Sequence, residues 1–168
     1  MSSDTAVVVP PYNHAIVSPG VYRSAFPTKK NLPYLQRLRL KTIVCITSEA
    51  YSQDVSDFLD EAGIAKMRVP LEENIEPFQL MSEAAVMDIM RCLVDPARRP
   101  VLIHGLAGVK RTSCVVGCLR KCQRWTLTPI LEEYHKYVGR NAEGNLIDHQ
   151  FIELFAAQGL AHSHSYDS

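Results

Sequence analysis

The chain is 168 residues long, 46% hydrophobic and 21% charged, which fits one globular domain with a sizeable core. Its 18 Lys+Arg balance 18 Asp+Glu, so no surface-wide field favours nucleic acid or an anionic membrane, and any anion site must be local. No apolar run approaches the ~18–20 residues of a membrane span, and "MSSDTAVVVPPYNH" lacks a basic segment followed by an apolar one, so neither anchor nor signal peptide is expected.

Residues 1–15 read as a loose lead-in, 16–158 as the domain and 159–168 as a frayed tail. "GVYRSAFP" reads as a short strand ended by Pro27. In "NLPYLQRL", Leu32, Leu35 and Leu38 share one side of a short helix, with Asn31 as its expected cap and Pro33 in the first turn. "LKTIVCIT" is β-branched and continuous, the pattern of a buried strand. Val55, Phe58, Leu59 and Ala62 then fall at helical spacing before the stop at Gly63, and "IAKMRVPL" is the next strand. The polar "EENIEPF" reads as a loop. From Leu80 to Val94 an amphipathic helix runs to "DPARRP", where Arg98 and Arg99 are expected to be solvated. "VLI" is a buried strand, "HGLAGVKR" a loop, and "TSCVVGCLRKCQRW" a helix with Val115, Cys118, Leu119 and Cys122 along one stripe. Helices at about 128–138 and 147–157 complete the chain, the first opened by Thr128-Pro129 with Glu132 and Glu133 near its positive end. Strands alternating with helices predict an α/β fold: a single domain with a central, mostly parallel four- to five-stranded sheet flanked by helices. Ligands in such sheets sit at the C-terminal strand ends, where the 104–111 loop lies.

Cys45, Cys92, Cys114, Cys118 and Cys122 are odd in number, lie within apolar patterns and form no Cys-x-x-Cys pair. Reduced thiols in a cytoplasmic protein, with no disulfide and no metal, are the simplest account.

The strand–loop–helix unit "VLIHGLAGVKRT" is suited to an anion. A glycine-bearing loop can turn successive N–H groups into one concavity, and the helix that follows aims its positive end there. Leu106, Ala107, Gly108, Val109 and Lys110 are the candidate phosphate-binding positions. Arg111 can clasp two oxygens at once, and Thr112 offers a hydroxyl to the interior. The order Gly-x-x-x-x-Gly-Lys-Ser/Thr of a nucleotide-binding loop is not met. Arg23, Lys29 and Lys30 are weaker candidates for extending the site, since isolated basic residues are more often at the surface.

This loop resembles the signature of the cysteine-dependent phosphatases, His-Cys-x-x-Gly-x-x-Arg-Ser/Thr, with Gly105 where the nucleophilic cysteine belongs. "VSPGVYRSAFPTKKNLPYLQRLRLKTIV", "EPF", "CLRKCQRW", "LTPILEEYHKY" and "DHQFIELF" resemble the plant-and-fungal atypical dual-specificity phosphatases, together over roughly residues 15–157. The resemblance implies a covalent mechanism that needs no cofactor: a thiolate attacks phosphorus, and water hydrolyses the phosphocysteine. It implies that Arg111 clamps the equatorial oxygens, that Thr112 hydrogen-bonds the leaving thiolate and that His104 braces the loop from beneath. A general acid is expected from the loop after the third strand, with Glu72 first, Glu73 second and Glu76 third, protonated through partial burial. Cys114 lies too far along to replace a nucleophile at 105.

Two departures from that pattern bear on function. Gly105 has no side chain, so no phospho-intermediate can form there, and a chain of this sequence is expected to be inactive or nearly so. Because His104, Gly108, Arg111 and Thr112 are all retained, an inactivated form of an active enzyme is favoured over a natural pseudophosphatase that only binds. A rhodanese-like sulfurtransferase is a remote alternative. The second departure is charge. Relatives of this kind often carry basic loop residues and act on inositol pyrophosphates, whereas Leu106, Ala107 and Val109 are uncharged here and Ile75 stands where a lysine is expected. The expected partner is therefore a phosphorylated substrate, either a phosphopeptide or an inositol pyrophosphate, or phosphate itself.

Overall fold

The computed structural model describes residues 7–74, 80–142 and 144–156. In chain order the elements are β1 (Ala15–Ser18), β2 (Val21–Ser24), α1 (Leu32–Leu38), β3 (Thr42–Cys45), α2 (Gln53–Glu61), β4 (Ala65–Arg68), α3 (Glu83–Leu93), β5 (Val101–His104), α4 (Lys110–Cys122), α5 (Leu127–Val138) and α6 (Asn145–Leu154). The strands form one five-stranded sheet in the order β1-β2-β5-β3-β4, parallel except for the β1–β2 pair. This is the α/β architecture expected, with one added edge strand.

Side-chain alternation sorts the core into two layers. Ile43 and Leu102 face α1 and α2, where Leu35, Val55 and Leu59 close over them. Val44, Val101 and Ile103 face the other way, into a larger layer built with Ile89 and Met90 of α3, Val115 and Leu119 of α4, Ile130 of α5 and Ile152 of α6. Each of these residues is at most 1% exposed. β5 is hydrogen-bonded on both sides, with Ser24 and Cys45 in register with His104. The C-terminal end of β5 is thus the centre of the sheet's upper edge, and the loop leaving it starts from the central strand.

Several expectations need correction. Ala15, at the end of the expected lead-in, already begins β1, and the residues before it are tied down: Asn31 Nδ2 donates to the Val9 carbonyl at 3.0 Å and the Ala25 N–H to that of Tyr12 at 2.7 Å. Asn31 does not cap α1 with its side chain. Its Oδ1 accepts from the Thr28 N–H at 2.9 Å and closes the turn before the helix. Arg99 is half-buried, donating to the Leu93 carbonyl at 3.1 Å, while Arg98 is exposed. α4 begins at Lys110, so Lys110 and Arg111 belong to its first turn. Glu133 is held by Arg120 at 2.9 Å across the α4–α5 contact.

Because β5 carries the loop and is sealed by both layers, Ile103→Ala should lower stability by about 2–5 kcal/mol. Urea denaturation followed by circular dichroism measures this; a loss well under 1 kcal/mol would contradict the packing described.

Candidate active site

The loop between β5 and α4 is shaped from outside. The carbonyl of Gly105 accepts from His104 Nδ1 at 3.0 Å, that of Leu106 from the Phe26 N–H at 3.0 Å, that of Ala107 from Asn13 Nδ2 at 2.8 Å and that of Gly108 from Arg23 Nη2 at 3.2 Å. In a planar trans peptide the C=O and the following N–H point in opposite directions. Four carbonyls drawn to the body of the protein therefore leave the N–H groups of Leu106 to Val109 turned to the concave side, as an anion nest requires. α4 starts there with no side-chain cap, so its first N–H groups and its positive end face the same space.

Gly108 must be glycine. Its φ is +71°, and a Cβ would come within 2.5 Å of the Ser24 and Ala25 backbone. Gly105 is different. Its φ lies outside the left-handed region, and a Cβ there would meet Thr112 Oγ1 at 3.1 Å and Ile46 Cγ1 at 3.6 Å, so a small side chain fits with a slight adjustment of the threonine. Thr112 is 1% exposed, and its hydroxyl has no hydrogen-bond partner among the described residues. A buried hydroxyl without a partner is costly, and this one faces the place where a side chain at 105 would stand.

Beneath the loop, His104 is fully buried. The Gly105 carbonyl can only accept, so His104 Nδ1 carries the proton, and Nε2 accepts from the Tyr51 hydroxyl at 2.7 Å. Burial lowers its pKa to about 4, against the opposing pull of the Gly105 carbonyl, so the ring is neutral. Arg23 is 2% exposed rather than at the surface. Its guanidinium lies 3.6 Å over the Tyr137 ring and donates to Ser113 Oγ at 2.7 Å as well as to Gly108. Burial lowers its pKa to about 10, so it remains a cation under the loop. Lys29 and Lys30 are exposed.

Arg111 Nη1 donates to the Leu71 carbonyl at 3.0 Å, joining the phosphate loop to the segment that carries Glu72 and Glu73. Both glutamates are exposed, so the partial burial expected for a general acid is absent at these positions. Glu76 and Ile75 lie outside the described residues. Lys110 lies 3.4 Å from Asp148 Oδ2, not alone at the loop. The Cys114 thiol is buried and its pKa is pushed well up, first by its hydrogen bond with Cys118 and then by burial, which suits a core residue and not a nucleophile. Asn13, Phe26, Tyr51, Asn74 and Asp148 were not singled out by sequence. Asn13, with φ of 55°, carried the one local signal, since Asn tolerates the left-handed region of a turn.

The chain matches the tyrosine phosphatase family over residues 8–168. It is 41% identical over 156 residues to inositol diphosphatase DSP1 of Oryza sativa subsp. japonica, covering 93% of this chain and 69% of that one. It is 38% identical over 149 residues to inositol diphosphatase SIW14 of Saccharomyces cerevisiae, covering 88% of this chain and 52% of the relative. The crystal structure of the core catalytic domain of the PP-IP phosphatase SIW14 in complex with citrate superposes with a TM-score of 0.83 at 34% identity, over 93% of each chain.

The His104 geometry makes a pH prediction. The ring titrates at about 4 when folded and near 6.5 when unfolded, so the unfolded chain binds more protons between these values. Stability is therefore fully present above about pH 6.5 and declines as pH falls toward about 4. His104→Gln should flatten part of that slope in denaturation midpoints measured from pH 7 to 4; an unchanged slope would mean that His104 is not held neutral.

Proposed function

The chain belongs to the tyrosine phosphatase family, and on that premise we propose a function in two parts. The scaffold hydrolyses a phosphoester or phosphoanhydride when a cysteine occupies position 105, and the chain with Gly105 holds its phosphorylated ligand without turning it over. One observation carries this reading: the buried Thr112 hydroxyl, without a partner among the described residues, 3.1 Å from the Cβ position of residue 105. It is the partner a thiolate would use, kept in place where the thiolate is lacking.

With a thiol at 105, the nest of N–H groups and the start of α4 would favour its ionised form. The thiolate would attack phosphorus in line while Arg111 takes two equatorial oxygens, and the S–P bond would form as the ester or anhydride O–P bond breaks. The leaving oxygen would take its proton from an acid of the 71–74 segment. Glu72 is the first choice because it follows Leu71, the residue that holds Arg111. Water would then attack the phosphocysteine, releasing phosphate and the thiolate, which the Thr112 hydroxyl steadies. His104 takes no proton in this scheme; it fixes the first carbonyl of the loop. Retention of His104, Gly108, Arg111 and Thr112 supports an inactivated form of an enzyme more than a natural pseudophosphatase that only binds. Inositol diphosphatases among the relatives make an inositol pyrophosphate the first substrate to try. The uncharged Leu106, Ala107 and Val109 keep phosphotyrosine peptides beside it. A cytoplasmic location fits the five unpaired thiols.

Gly105→Cys should gain turnover of an aryl phosphate and of at least one of a phosphotyrosine peptide and an inositol pyrophosphate. Adding Arg111→Ala to that variant should lower kcat/KM about a hundredfold or more. No turnover of any of these substrates would sink the phosphatase reading. For the Gly105 chain, calorimetry should detect orthophosphate binding that Arg111→Ala abolishes, and its absence would sink the cradle itself.

A further inference from the structure

Lys110 is the one cation among the variable positions of the loop, and its ammonium is taken up by groups on other elements. Lys110 Nζ lies 3.4 Å from Asp148 Oδ2 and 3.4 Å from the Asn74 carbonyl, to which it donates. Its stem crosses Gly144, where an added Cβ would sit 3.1 Å from Nζ; glycine at that turn makes room for the lysine. Asp148, on α6, is 1% exposed. Its Oδ1 accepts from Asn74 Nδ2 at 2.8 Å and its Oδ2 from the Tyr134 hydroxyl. Asn74 is itself 1% exposed and accepts from the Met81 N–H at 2.7 Å. A carboxylate this buried is retained only with a cation and several donors, and Lys110 is the cation.

We propose that Asp148 is a specificity-determining residue: it holds the Lys110 ammonium against α6 and so withholds it from the ligand. This rests on the loop being a phosphate cradle. With Lys110 engaged, the seated phosphate meets Arg111, the N–H groups and the fixed charge of Arg23 beneath them, and Lys110 is withheld from a second phosphate. Such a site grips a second phosphate less strongly than it would with Lys110 free. A lysine on a flexible four-carbon stem would turn to a polyanion once its partner is removed. The same aspartate also holds Asn74, two residues from Glu72, so the Lys110 ammonium and Asn74 share one anchor.

The test compares orthophosphate with tripolyphosphate by calorimetry. Asp148→Asn should raise tripolyphosphate affinity by about tenfold while orthophosphate affinity changes by less than about twofold, as expected when one charge-assisted contact is gained only by the longer ligand. Adding Lys110→Met to Asp148→Asn should remove the gain. Equal changes for both ligands, or a gain that survives loss of the lysine, would overturn the proposal. Thermal melting reports whether Asp148→Asn folds. If it does not, the side-chain ammonium resonance of Lys110 in the unaltered chain decides: it should stay unmoved at saturating orthophosphate and tripolyphosphate, and a shift with either overturns the proposal. An unaltered chain that binds neither ligand ends the cradle reading and this inference with it. Binding with unchanged selectivity in Asp148→Asn ends the inference alone.

Discussion

The site depends on four carbonyls being pulled away from its centre. Left to itself, a five-residue loop between a strand and a helix would turn its peptide groups in either sense, and carbonyls facing inward would repel an anion. Here the dipoles of Gly105 to Gly108 are fixed by donors from four separate places: the ring of His104, the backbone of Phe26, the amide of Asn13 and the guanidinium of Arg23. Two of the donors are packed in turn. Phe26 packs edge-on against His104 at 5.0 Å between centroids, and Arg23 lies under Tyr137. The nest is preorganised because the cost of orienting its dipoles is met in folding, through the sheet and the packed layer under α4.

The two ends of the loop's charge are managed differently. Arg23 is a buried cation with aromatic and carbonyl partners, and its positive field is built in beneath the nest. Lys110 is a cation at the rim with a buried carboxylate as partner, and its field is cancelled at short range. Arg111 stands between them, half-buried and anchored to one carbonyl through Nη1. A guanidinium has five N–H donors, so this anchor aligns the side chain and leaves donors for two phosphate oxygens.

Much of this was legible in the sequence, and the limits were physical. β3 and β5 announce themselves as unbroken apolar runs, and α2 through α4 as apolar stripes, because burial on a sheet or along a helix imposes a local pattern. β1 does not: four residues, with Ile16 70% exposed and Val17 buried, are too few to establish alternation. Gly108, Arg111 and Thr112 could be read from their spacing, since one contiguous loop supplies them. Arg23 could not be read as buried, because what stabilises it is Tyr137, far along the chain. Asp148 shows the same limit. Nothing local in "DHQFIELF" marks it as buried, and only the meeting of α6 with the first turn of α4 gives it Lys110. Local pattern encodes which face is apolar; it does not encode which polar groups will be brought together across elements.

These constraints bear on what glycine at 105 means. None of the bonds that orient the cradle involves a side chain at that position, and the backbone there is in a conformation open to any residue. Gly108, by contrast, is excluded from having a side chain by the Ser24–Ala25 backbone. The loop therefore contains one glycine demanded by geometry and one that geometry does not ask for. A fold that needed glycine at 105 would have closed around it, and Thr112 would have found another partner. Instead the hydroxyl remains buried and unpartnered beside an accommodating backbone. The loop is therefore built so that a small side chain could stand at 105 without disturbing the bonds that orient it.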